Sequence, residues 1–72
     1  VTVKGGFYIH FKGGMYFVTG VATHTETGEE LVIYKDLKTG LRWARPASMF
    51  TEEVEHEGQM VPRFQQVDEQ DV

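Results

Sequence analysis

Two short spacings in this 72-residue chain set chemically useful side chains on a common side of an extended backbone. His24 and Glu26 are two residues apart, as are Trp43 and Arg45, and alternate residues of a strand face the same way. An imidazole beside a carboxylate is a proton-transfer pair or the beginning of a metal site. A catalytic zinc usually takes three protein ligands and keeps one position open. Glu29 or Glu30 would have to curl back to complete such a set, because His10 and His56 have no local reason to converge on it. The bland alternative is a strand-end histidine in a polar turn held by the hydroxyls of Thr25 and Thr27. No metal and no cofactor is therefore expected. His24 and Glu26 are the weak candidates, and a small metal-assisted hydrolase is the activity they would support.

Trp43 and Arg45 suggest binding. An indole stacks, and a guanidinium both stacks and pairs with a carboxylate or phosphate. Tyr8, His10 and Lys12 share one face of an earlier alternating run, and Tyr34 lies in a third. These six residues would form an aromatic and basic surface for a protein segment or small ligand, as grooves for extended peptides do. The competing reading buries Trp43, the only tryptophan, in the core and leaves Arg45 to Glu52 or Glu53. Gly5-Gly6 and Gly13-Gly14 lack a following helix and so read as turns rather than phosphate cradles. A non-enzymatic interaction module is the first reading, and a single-stranded nucleic-acid-binding barrel is the alternative.

The elements that must position these residues are short strands punctuated by glycine. Phe7 to Phe11 alternates and ends at Gly13-Gly14, the positive-φ residues of a tight hairpin. Met15 to His24 is apolar on both faces, with Gly20 the expected bulge. Leu31 to Tyr34 is a third strand and Leu41 to Arg45 a fourth, stopped by Pro46. Pro46 to Phe50 is expected to be a single 3₁₀ turn. Thr51 to His56 is a glutamate-rich edge strand, and Met60 to Phe64 an edge strand or arm. The fold expected is all-β: a small SH3-like barrel or roll of five to six short antiparallel strands with one 3₁₀ turn. Phe7, Ile9, Phe11, Phe17, Val21, Leu31, Ile33, Met49, Phe50 and Val54 are the expected core, although period alone leaves the inward face of the second and third strands open.

Charge divides the chain. Residues 1–45 carry six basic and four acidic side chains, a net +2, and residues 46–72 carry one and seven, a net −6. The domain is expected over 1–64, with an acidic, frayed tail over 65–72. The acidic balance makes nucleic acid an unlikely partner, since phosphate binding needs Lys and Arg. The absence of cysteine removes disulfides and thiolate metal sites. No apolar run reaches the length of a membrane span, so a cytoplasmic location and no membrane partner are expected. Like charges at Glu53 and Glu55 oppose edge pairing, which favours a monomer over a weak homodimer.

Several segments together resemble a known family. They are His10-Phe11-Lys12-Gly13, Tyr16, Ala22 to Thr27, Glu30 to Tyr34, Trp43-Ala44-Arg45-Pro46, Met49-Phe50, Val54 and Val61-Pro62-Arg63-Phe64. In this order they resemble the small bacterial DUF1653 family across residues 8–64. The loop from Leu37 to Arg42 is shorter than the family's tyrosine-and-glycine insert. The resemblance implies an SH3-like barrel and carries no activity with it, the family being one of unknown function.

Overall fold

In the computed structural model, which describes residues 3–68, the alternating runs are strands. β1 (Gly6–His10), β2 (Met15–Thr23), β3 (Glu30–Asp36) and β4 (Arg42–Pro46) pair antiparallel in succession. A helical turn, α1 (Ala47–Phe50), leads to the hairpin β5 (Glu53–His56) and β6 (Gln59–Pro62), then to β7 (Phe64–Gln66). β7 returns beside β1, which gives a five-stranded sheet ordered β4-β3-β2-β1-β7 and a separate β5-β6 ribbon. The fold is all-β, as expected, with seven strands among the described residues. Among the described residues the sheet does not close into a barrel: β5 and β6 pair with each other, so β4 and β7 remain edges. The 3₁₀ turn is instead one turn of α-helix, closed by the Thr51 N–H donating to the Ala47 carbonyl at 3.0 Å.

The core lies on the face opposite to the one expected. Tyr8, Val18, Val32, Tyr34 and Phe64 are buried with Val3, Ala47 and Phe50. Of the ten residues expected inside, Phe50 alone is in this set. Phe7, Phe11, Phe17, Leu31, Ile33 and Val54 are half-buried, while Ile9, Val21 and Met49 are exposed. The cause is α1, which brings Ala47 and Phe50 onto the tyrosine face. Phe50 stacks on Phe64 at 4.2 Å with rings 5° apart, and Tyr8 meets it edge-on at 5.2 Å. Burying tyrosines requires partners for their hydroxyls. The Tyr8 hydroxyl donates to the Lys4 carbonyl at 2.8 Å, and that of Tyr34 accepts from Arg45 Nε at 3.3 Å. Phenylalanine needs no such partner, and Phe7 and Phe17 pair edge-to-face at 4.9 Å on the outer side.

The bulge in β2 falls at Thr19, one residue before Gly20, where the register shifts between Val18 and Gly20. The Thr19 hydroxyl donates to the Ile33 carbonyl at 3.2 Å across the irregularity. Its effect is to move Val21 to the side of Tyr16 and Val18, opposite Val32. At the other end of the chain, β7 extends past the expected boundary at residue 64. The Val67 N–H also donates to the Phe7 carbonyl at 3.0 Å. The rest of the expected tail, residues 69–72, lies outside the described residues. Among the described residues no helix is long and apolar enough to cross a membrane.

Candidate binding cleft on the tyrosine face

Strand register carries four of the six expected binding residues to one place. Tyr34 lies opposite Trp43 across the β3–β4 ladder, with Arg45 two residues further along β4. His10 lies opposite Phe64 across β1–β7, and Tyr16 opposite Asp36 across β2–β3. All seven line a cleft of about 310 Å³ on the tyrosine face. Tyr34 and Phe64 are buried in its floor. Tyr16 meets their rings edge-on at 5.6 and 5.5 Å, and His10 meets Phe64 at 4.9 Å.

Trp43 is 50% exposed, so the reading that placed it in the core is wrong. α1 covers the tyrosine face with Phe50 instead, while β4, at the sheet edge, carries the indole outward. Arg45 is half-buried, with its Nε held by Tyr34 and its guanidinium 5.9 Å from the Phe64 ring centre. Among the described residues neither Glu52 nor Glu53 pairs with it: Glu52 instead accepts from Arg63 at 2.6 Å. Tyr8 and Lys12 stand apart from the cleft. Tyr8 is core beside a second hollow of about 290 Å³, and Lys12 is exposed with its ammonium 5.8 Å from the Phe11 ring centre.

The cleft is rich in hydrogen-bond donors. His10 Nδ1 accepts the Lys12 N–H at 3.1 Å, which leaves the proton of the neutral ring on Nε2. Burial holds the His10 pKa below its ordinary value, and the charges of Arg63, Arg45 and Lys12 push it the same way. Burial, then Asp36 and Tyr34, raise the Tyr16 pKa against the opposing effect of Arg45, so its phenol stays protonated. Among the described residues Asp36 is the one carboxylate lining the cleft. Its Oδ1 already accepts the Lys38 and Thr39 N–H groups at 2.8 and 3.3 Å.

The pair His24 and Glu26 gathers no such company. His24 Nδ1 accepts the backbone N–H groups of Glu26 and Thr27 at 3.1 and 3.3 Å, so it is engaged in shaping the turn. Among the described residues no three His, Cys, Asp or Glu side chains are grouped to hold a metal ion.

Comparison with known proteins places the chain. A family model described as a protein of unknown function, DUF1653, matches residues 6–66. The chain belongs to the DUF1653 family. A crystal structure of a DUF1653 protein from Bordetella bronchiseptica is 34% identical, with 90% of this chain and 87% of that one covered and a TM-score of 0.83. No curated protein matches. Six of the seven cleft residues of this DUF1653 domain lie in the segments that carry the family resemblance, Asp36 being the exception. Tyr16, Asp36 and Phe64 are the cleft residues that sequence reasoning missed. Tyr16 and Phe64 were visible as segment members. Asp36, at the end of β3 beside the loop, carried no such signal.

Proposed function

We propose that this DUF1653 domain is a binding module that holds a protein segment or small ligand in the cleft formed by His10, Tyr34, Trp43 and Arg45. One observation carries the reading. Residues singled out for their chemistry on three separate strands converge on a single cleft, with a half-exposed indole beside a guanidinium. Among the described residues that guanidinium has no carboxylate within 4.0 Å. Stacking on an exposed tryptophan and charge-assisted bonds to arginine are the interactions that dominate recognition surfaces.

The test is a ¹⁵N-¹H correlation titration of the domain with short peptides and small aromatic carboxylates. Saturable shifts at the Trp43 indole and the Arg45 Nε–H, with the Trp43 shift lost in Arg45→Ala, support the reading. Shifts centred instead on Phe7, Ile9 and Phe17 of the outer face would overturn it.

A further inference from the structure

We infer that the free edge of β4 takes up an extended, acidic segment of a partner as an added strand, laying its side chains into the cleft. The inference rests on the binding reading above and names the partner's conformation and charge. β4 is a terminal strand of the five-stranded sheet. The Asp36 N–H donates to the Leu41 carbonyl at 2.8 Å, which makes those residues a hydrogen-bonded pair. Bonded and non-bonded pairs alternate along an antiparallel ladder. Trp43 and Arg45, opposite Tyr34 and Val32, therefore spend their backbone groups on β3, whereas Arg42 and Ala44 turn theirs outward. Ile33 fits this alternation: it lies opposite Ala44, and its carbonyl accepts from Thr19 of β2.

Among the described residues no turn or loop backbone group and no side chain bonds Arg42 or Ala44 from the open side. Two donors and their carbonyls thus stand free, and the row ends at Pro46, which has no N–H and whose carbonyl caps α1. Such an edge is a template for strand addition. In an added strand, residues beside Trp43 and Arg45 fall on the cleft side. Charge selects the occupant. β4 carries Arg42 on the outer face and Arg45 on the cleft face, Lys35 lies opposite Arg42, and no acidic residue occurs within β4. Asp36 lies just beyond, at the hairpin end.

The experiment titrates the whole domain with the capped peptide acetyl-TVEVET-amide and follows the fluorescence of Trp43, the only indole present. A saturable change is expected, together with slowed hydrogen exchange at the Arg42 and Ala44 amides. The same peptide N-methylated at every interior amide should bind at least tenfold more weakly, as should acetyl-TVKVKT-amide. Equal binding by the N-methylated peptide overturns strand addition and leaves the cleft as a side-chain site. Equal binding by the lysine peptide overturns the acidic preference. If the acidic peptide does not bind while small ligands still shift the cleft resonances, the edge inference fails alone. If neither binds, both readings fail. Ala44→Pro removes one outward donor without breaking a bond to β3, and circular dichroism reports whether it still folds.

Discussion

Met49 and Phe50 are neighbours on one helical turn, yet the structure gives them opposite roles. Phe50 is 1% exposed and Met49 43%. Changing each to alanine alters helix propensity little, so the difference between the two variants measures packing. Phe50→Ala removes a ring stacked on Phe64 and in contact with Tyr8 and Tyr34. Loss of transfer free energy plus a cavity should cost about 3–5 kcal/mol. A domain of this length is stable by roughly 4–11 kcal/mol, so that loss takes about a quarter or more of the total. Met49→Ala leaves no enclosed cavity and gives up only the buried part of one side chain, about 1 kcal/mol. At roughly 4–8 °C per kcal/mol for a domain of this size, Phe50→Ala should melt at least about 12 °C lower and Met49→Ala by only a few degrees. Urea unfolding followed by far-ultraviolet circular dichroism at 25 °C gives both values. Equal losses, or a larger loss at Met49, would refute the placement of the core on the tyrosine face.

Tyr34→Phe keeps the ring and removes the hydroxyl that accepts from Arg45 Nε at 3.3 Å. Stability should fall by about 0.5–1.5 kcal/mol, and the Arg45 Nε–H resonance should broaden or move. His10 should titrate below its ordinary 6.5 by ¹H-¹³C NMR, with Arg45→Gln moving the midpoint back up. The unfolded chain then takes up the proton first. The contribution of His10 to stability is accordingly complete above pH 6.5 and is lost as pH falls through the lower folded value. A midpoint above 6.5 would contradict the burial of the ring beside three cations. Glu57 has φ 54° ahead of Gly58 at φ 81°, the two positive angles of a tight β5–β6 turn. Glu57→Asn, better suited to that region, should raise stability by about 0.5–1 kcal/mol in the same urea assay, and a loss would show that the strain is absent.

The strands were legible because glycine and proline mark their ends and alternation marks their interiors. The choice of inner face was not. In β1, Phe7, Ile9 and Phe11 outweigh Tyr8 and His10 in hydrophobicity, so pattern alone turns the phenylalanines inward. What reverses the choice is Phe50, forty residues away, delivered by a helical turn whose packing no local pattern encodes. The extra residue at Thr19 then flips the alternation halfway along β2. Trp43 follows from the same reversal, since with Phe50 covering the tyrosine face the indole stays at the open rim. Trp43 and Arg45 were legible as a pair through their spacing alone. His10, Tyr16 and Phe64 join them only through strand order, because β7 crosses back to β1 and brings the end of the chain beside its beginning.

The most direct measurement is a crystal structure of the domain with the tightest peptide or fragment from the titrations. The account predicts a ligand lying against the Trp43 ring, with an acceptor oxygen within about 3.2 Å of the Arg45 guanidinium. A ligand seated across Phe7 and Phe17 instead, with the cleft unchanged, would contradict it.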